Sequence, residues 1–262
     1  MPMAVKDPIY LNRDGAVGTI HLNRPDKRNA LNGAMWQRLA TLIAEADADP
    51  QIKVIVITGE GQAFAAGADI DEFNAVFTDP SAAETTAAIT YQAQKALHRN
   101  LKPTIAKIRG ACVGGGCGIA LCCDLRFADT SAKLGITPGK LGLIYSLSDT
   151  KRLVDLVGPA KAKDILYTGR ILGAEEALSI GLIDRLVAPE ALDETVNAFA
   201  AEICAASQFS ARGTKRITQM ILDGADDDTA ETRALFVEAF SGADFKEGFT
   251  AFGEKRKPKF TA

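Results

Sequence analysis

The chain has 262 residues, 47% hydrophobic and 24% charged, with a net charge of −3 and a pI near 5.6. That is enough length and apolar content for one sizeable core without disulfide or metal staples. The weak acidic balance excludes nucleic acid or an acidic membrane surface as a partner held by bulk charge, so an anionic ligand must be met by local basic groups.

The amino end, MPMAVKDPIYLNRDG, has no apolar run long enough for a secretory signal, and no stretch of about 18 uninterrupted apolar residues occurs, so the sequence reads as cytoplasmic and without a membrane span. Ile9 to Arg13, the pair Asp14–Gly15 and the alternating run Ala16 to Arg24 predict a hairpin with a tight turn. Gly33 to about Asp47 predicts a helix with Leu39, Leu42 and Ile43 on one face. KVIVITG (Lys53 to Gly59) and TIAKIRG (Thr104 to Gly110) are short continuous apolar runs closed by glycine, as in strands buried on both faces. Between them, Asp71 to Arg99 is rich in Ala and Thr and predicts a mobile loop or loosely packed helix.

The strand-then-helix rhythm recurs at Asp124 to Asp129 and Leu182 to Val187, which favours an α/β core. Beyond Pro189 strand signals stop, and four helices are expected, over Pro189–Ser207, Ala211–Leu222, Thr229–Gly242 and Asp244–Lys257. The division expected is a core over residues 1–190 and a helical region over 191–262. The five cysteines (Cys112, Cys117, Cys122, Cys123 and Cys204) are odd in number and mostly clustered in one apolar segment, as buried reduced thiols are. The only histidines, His21 and His98, lie away from any cysteine pair, so no metal is expected.

Two glycine-bearing loops each follow a buried strand: GEGQAFAAGADIDEF and GACVGGGCGIAL. Neither has the spacing of a phosphate-binding loop. Their pairing suits two backbone N–H donors converging on one oxygen, an oxyanion hole whose donors are worth roughly 2.7–4 kcal/mol each. The glycines would equally serve close packing of helix on strand.

RPDKRNAL (Arg24–Leu31), AFAAGADI (Ala63–Ile70), VGGGCGIALCCDLRFAD (Val113–Asp129), KLGL (Lys140–Leu143) and FGEKRKPKF (Phe252–Phe260) lie in the order and spacing of the enoyl-CoA hydratase/isomerase, or crotonase, superfamily, which the chain resembles from about Ile9 to its last residues. The resemblance implies a spiral of ββα units with a C-terminal helical trimerisation region, an acyl-CoA thioester as ligand, and no separate cofactor, coenzyme A being part of the substrate. It implies oxyanion donors on the backbone of Ala68 and Gly115, with Ala66, Asp69, Ile70 and Gly114 around the substrate. Lys27 and Arg28 would lie near the CoA adenine and phosphates. Phe236, Phe252 and Lys255 would reach a neighbouring subunit's CoA in a homotrimer or a dimer of trimers. Lys255, Arg256 and Lys257 read by themselves as a solvated helix end.

The departures from the family's pattern decide the expected chemistry. Hydratases of the family resemble GGGCE with a second Glu twenty residues later. Here those positions hold Gly118 and Pro138, and no carboxylate adjoins the second. A missing general acid–base group forfeits about 10²–10⁴-fold in rate. ITPGKLGLIY instead resembles T-P-x-x-L-G-x-x-Y of the family's methylmalonyl-CoA decarboxylases, through Thr137, Pro138, Leu141, Gly142 and Tyr145. Decarboxylation needs an oxyanion hole and no general base, and a pocket short of acids would not repel the substrate's carboxylate. The expectation is therefore decarboxylation of a malonyl-type CoA, with Tyr145 orienting the carboxylate and Thr137 assisting.

Two further readings stay open: a hydratase or isomerase drawing on Glu72 or Asp149, and a non-catalytic acyl-CoA-binding subunit. The aryl-CoA dehalogenases of the family carry an aspartate nucleophile where Ser146 stands here, which removes that reading's key residue. Asp149 would otherwise cap the helix beginning near Thr150, Tyr145 would be a structural aromatic, and Glu72 would be solvated. Cys117 is expected as a small buried thiol, His98 as a capping or surface histidine, and Asp124 as a holder of loop backbone.

Overall fold

The computed structural model describes residues 7–72 and 80–260. Strands β1 (Ile9–Asp14) and β2 (Val17–Leu22) form the expected antiparallel hairpin, turned at Gly15 with φ +55°. Next come β3 (Val54–Gly59), β4 (Thr104–Ile108), β5 (Ala111–Val113), β6 (Leu125–Asp129), β7 (Lys133–Gly135), β8 (Ile171–Gly173) and β9 (Arg185–Val187). Among the described residues one sheet has the order β1-β2-β3-β4-β6-β9, parallel from β2 onward, and a second, smaller sheet has the order β5-β7-β8.

The helices are α1 (Gly33–Ala48), α2 (Pro80–Arg99), α3 (Gly115–Cys122), α4 (Leu147–Thr168), α5 (Ala174–Ser179), α6 (Leu192–Ala205), α7 (Gln208–Leu222), α8 (Ala230–Ser241) and α9 (Ala243–Gly253). Strand β3 explains its own sequence. Ile55 and Ile57 join one core with Leu39, Leu42 and Ile43 of α1, while Val54 and Val56 join another with Leu192, Val196 and Ala200 of α6. Successive side chains of a strand alternate faces, so a strand covered on both sides is apolar throughout. Helix α6, which the division at residue 190 assigns to the helical region, thus packs on the sheet.

Several expected boundaries shift. Leu182 and Ile183 are buried but not extended, because Leu182 N–H bonds back to Ala177 O at 2.8 Å around Gly181 (φ +77°), and β9 begins only at Arg185. Of the segment expected as a loop or loose helix, residues 73–79 lie outside the described residues, and α2 is helical from Pro80. Its first half is largely exposed, and its second half buries Ala93, Gln94 and Leu97. The last helix stops at Gly253 rather than Lys257, since Lys255 takes a left-handed conformation (φ +54°) and Arg256 pairs with Glu247 and Glu254 at 2.6 Å each.

One buried cation ties α1 to the sheet. Lys102 is 1% exposed, and its Nζ donates to Ala46 O and Asp49 O at 2.6 Å each, satisfying carbonyls at the C-terminal end of α1. Replacing it by methionine keeps the stem but removes the side-chain donor from Ala46 O and leaves Asp49 O with only Ile52 N–H at 3.1 Å. Each buried group left unsatisfied costs about 1–3 kcal/mol, so Lys102→Met should lower the midpoint of thermal unfolding by several degrees. An unchanged midpoint would show that these bonds contribute nothing net.

Candidate active site

Two loops meet at the N-terminus of α3. Ala65 N–H bonds to Ala111 O and Val113 N–H to Ala65 O, both at 2.9 Å, which stitches the loop after β3 to β5. Just beyond the stitch, Gly67 (φ +107°) and Gly114 (φ +53°) pack backbone on backbone, a Cβ built on Gly114 lying 3.6 Å from Gly67 Cα. The positive φ favours glycine at both positions, and a Cβ at Gly67 would also crowd Val113 O at 3.3 Å.

Each of these glycines precedes a candidate donor. Leu31 N–H bonds to Gly67 O at 2.8 Å and Asp69 N–H to Leu31 O at 2.9 Å. This parallel bridge turns the N–H of Ala68 away from Leu31. Gly115 opens α3, where the first N–H groups have no intrahelical partner and carry the positive end of the helix dipole. Neither N–H donates to another group of the described residues. Two backbone N–H groups without a partner among the described residues thus follow the two packed glycines.

A second group of side chains sits one helical turn along α3. Gly118 N–H bonds to Gly114 O at 3.0 Å, so Gly118 lies about 5.4 Å along the axis from the donor turn. A Cβ built at Gly118 would stand 2.6 Å from Gln94 Nε2, 3.3 Å from the Tyr145 hydroxyl and 3.7 Å from Asp149 Oδ1. The position that is glutamate in the hydratase pattern is thus glycine because α2 and α4 fill its space with polar groups.

The expectation of a pocket bare of acids needs correcting here, since Asp149 supplies a buried carboxyl from the first turn of α4. Asp149 does not cap that helix. Ser146 is the N-cap, accepting from Asp149 N–H at 3.1 Å, and this frees the aspartate side chain to turn inward. Asp149 Oδ2 accepts from Ser146 Oγ at 2.8 Å and Oδ1 from Arg152 at 3.0 Å, with the Gln94 amide a further donor. Burial raises its carboxyl above the ordinary carboxylate range, opposed by Ser146 and Arg152. Burial, then the Asp149 charge, pushes the Tyr145 phenol well above its usual value, so Tyr145 is a donor and not a tyrosinate. Its hydroxyl is buried and makes no hydrogen bond among the described residues.

Because folding favours the neutral form of a carboxyl whose pKa is raised, the contribution of Asp149 to stability is fully present below the ordinary value of about 3.9 and is lost as pH rises through the folded value. Comparing wild type with Asp149→Asn by denaturant unfolding, the difference should move in favour of Asn as pH rises above about 4. A pH-independent difference would contradict the burial argument.

The other expected site residues divide into those the fold gathers and those it does not. Lys27 ends a one-turn helix (Pro25–Lys27) that leads into the segment strapped to the first donor loop. Ala66 N–H bonds to Arg28 O at 2.9 Å, and buried Asn29, at φ +57°, donates to Ala63 O at 2.7 Å and Glu60 O at 2.9 Å. This sets Lys27 and Arg28 beside Ala66–Ala68. Asn29 went unnoticed in the sequence, where a lone asparagine carries no signal. Lys27 is exposed and pairs with Asp71 at 2.8 Å. Asp69, expected at the substrate, is instead buried in an ion pair with Arg24 at 2.7 Å, which holds its carboxyl below the usual range. Ile70 is exposed.

Thr137 precedes a one-turn helix (Pro138–Leu141) and makes no side-chain cap to it. Glu72 Oε2 accepts from Gly33 N–H at 2.8 Å at the start of α1. Phe236 on α8, Phe252 near the end of α9 and Lys255 just beyond it are exposed and make no hydrogen bond or ion pair to the donor loops within the chain. Cys117 is buried as expected. Asp124 accepts from both Thr104 N–H (2.7 Å) and its hydroxyl (2.9 Å), holding backbone as expected. His98 is neither cap nor surface. It is half-buried between α2, α4 and α7, where burial, then Arg152, Arg99 and Lys215, push its imidazole down to about 4.

The chain is similar to known proteins over nearly its whole length. Residues 12–262 match the family model described as enoyl-CoA hydratase/isomerase. A crystal structure from Hyphomonas neptunium, assigned to the enoyl-CoA hydratase/isomerase family, superposes with a TM-score of 0.95 at 48% identity, covering 97% of each chain. An enoyl-CoA hydratase/carnithine racemase from Magnetospirillum magneticum gives a TM-score of 0.94 at 36% identity, covering 98% of this chain and 96% of its own. The crotonyl-CoA hydratase of Syntrophomonas wolfei is 36% identical over 261 residues, spanning 96% of this chain and 97% of its own length.

Proposed function

This chain belongs to the enoyl-CoA hydratase/isomerase family, and on that premise we propose that it hydrates or isomerises an enoyl-CoA thioester with Asp149 as its proton-handling carboxylate. The observation that carries this reading is the Asp149 carboxyl standing 3.7 Å from the Cβ position of Gly118, one helical turn from the Gly115 donor. The thioester oxygen lies between the N–H groups of Ala68 and Gly115, which take up charge as the enolate develops. Asp149 moves the proton at the α-carbon. Its raised pKa brings it closer to the operating pH, where a group that both takes and returns a proton works best.

Coenzyme A is bound as part of the substrate, with Lys27 and Arg28 meeting its phosphates. No separate cofactor enters the reaction. Assembly as a homotrimer or a dimer of trimers belongs to this reading. The exposed row of Phe236, Phe240, Phe245 and Phe249 along α8 and α9 supports it, because apolar surface of that extent is commonly covered by a partner.

Decarboxylation of a malonyl-type CoA retains one supporting observation, the unpartnered Tyr145 hydroxyl, which would hold a substrate carboxylate. The Asp149 charge opposes it by repelling that carboxylate. The test incubates the protein with crotonyl-, 3-hydroxybutyryl-, methylmalonyl- and ethylmalonyl-CoA in deuterium oxide and follows each by mass spectrometry. Interconversion of the first two with deuterium at the α-carbon, lost in Asp149→Asn, is expected. Loss of carbon dioxide alone, abolished by Tyr145→Phe, would replace this reading with decarboxylation. Binding without turnover would leave a non-catalytic acyl-CoA-binding subunit.

A further inference from the structure

Hydration needs more than a proton carrier, because the water must be held with one lone pair aimed at the β-carbon. Family hydratases, as the sequence pattern implies, use two glutamates for this, and here both positions lack a carboxylate. Asp149 replaces one. The structure offers two neutral groups beside it. Gln94, 3% exposed and reaching in from α2, has Nε2 2.6 Å from the Gly118 Cβ position, and the Tyr145 hydroxyl lies 3.3 Å from the same point. The Tyr145 hydroxyl is buried and makes no hydrogen bond among the described residues, a cost that a polar partner would remove, while the Gln94 amide donates to Asp149.

We propose that Gln94 and Tyr145, together with Asp149, hold the water molecule that is added to the β-carbon of the enoyl thioester. The inference rests on the hydratase reading and names the residues that complete it. One O–H of the water points to Asp149, the second is accepted by the carboxamide oxygen of Gln94, and the Tyr145 hydroxyl donates to one lone pair. The other lone pair attacks. As the new C–O bond forms, the water's proton passes to Asp149 and the Cα=Cβ pair moves onto the thioester oxygen between Ala68 and Gly115. Asp149 then delivers a proton to the α-carbon as the enolate collapses, so one water is added and no other reactant is consumed.

Two reactions of the same site separate this role from a merely structural one. Exchange of the α-protons of butyryl-CoA into deuterium oxide needs the oxyanion hole and Asp149 but adds no water. Hydration of crotonyl-CoA needs all three groups. Gln94→Leu and Tyr145→Phe should each cut hydration by about 10²-fold, the low end for loss of a positioned polar group in proton transfer. In Tyr145→Phe the rate of butyryl-CoA exchange should stay within a few-fold of wild type, whereas Gln94→Leu also removes a donor to Asp149 and should slow exchange as well. Gly118→Ala attacks the same arrangement from the opposite side, since its methyl would stand 2.6 Å from Gln94 Nε2 and must displace that flexible end. It should resemble Gln94→Leu.

Equal loss of both reactions in Tyr145→Phe would overturn the proposal in favour of a positioning role through Asp149. Unchanged hydration would overturn it outright. Wild-type exchange without wild-type hydration would keep Asp149 as the proton carrier and remove the water site. Absence of both in the wild type would instead sink the hydratase reading.

Discussion

Asp149→Asn should abolish most turnover of crotonyl-CoA, with kcat falling by about 10²–10⁴-fold, the range for loss of a general acid–base group. The asparagine keeps the size of the side chain, and its one carbonyl oxygen can still accept from Arg152, while its NH2 replaces the oxygen that accepts from Ser146, at 3.0 and 2.8 Å in the wild type. Folding should therefore persist, and KM should move less than kcat because the CoA-facing segment around Lys27 and Arg28 is untouched. Circular dichroism and thioester binding distinguish loss of chemistry from loss of structure. Retained activity in a folded Asp149→Asn protein would remove Asp149 from the mechanism.

Gly116→Ala should be nearly as damaging by a different route. A Cβ built on Gly116 would lie 2.4 Å from Ala65 O and 2.7 Å from Ala65 Cβ, and these are backbone-anchored atoms with no flexible end to swing aside. Ala65 is the residue that stitches the two loops, through its bonds to Ala111 and Val113. The methyl must push the first turn of α3 away from that stitch, and the Gly115 donor moves with it. Overpacking of this kind costs about 1–3 kcal/mol of stability. Misplacing one oxyanion donor costs about 2.7–4 kcal/mol of barrier, or roughly 10²–10³ in kcat. A thermal unfolding midpoint and kcat both equal to wild type would show that the loops tolerate separation. Comparison with Gly118→Ala is informative, because there the clash falls on a side-chain amide and the stability loss should be smaller.

Much of the frame was legible in the chain. Runs such as Val54–Gly59 and Thr104–Ile108 announced strands covered on both faces, and Asp14–Gly15 announced the hairpin. The two glycine loops were legible because their signal is backbone conformation, and glycines at 67 and 114, both at positive φ, write that signal directly into the sequence. Side-chain roles were harder to read. Asp69 resembles a substrate residue by position, yet Arg24, 45 residues earlier, turns it into a buried ion pair. Glu72 has suitable spacing for a site acid, yet the start of α1 takes its carboxylate.

Asp149 is the clearest case. In the chain it is one acid near a helix start, and N-cap and N3 positions differ by only three residues. Ser146 settles the cap, and the side chain that is left over faces Gly118, 31 residues away in sequence. Gln94 carried no signal at all, since its partners come from α3 and α4.

Periodicity and glycine placement, being local properties of the backbone, thus determined the α/β frame and the two packed glycine loops from the sequence alone. The polar groups that border Gly118 were placed only by the tertiary structure. They arise where three helices from distant parts of the chain approach a single missing side chain, and that distance between non-neighbours is what a linear pattern does not contain.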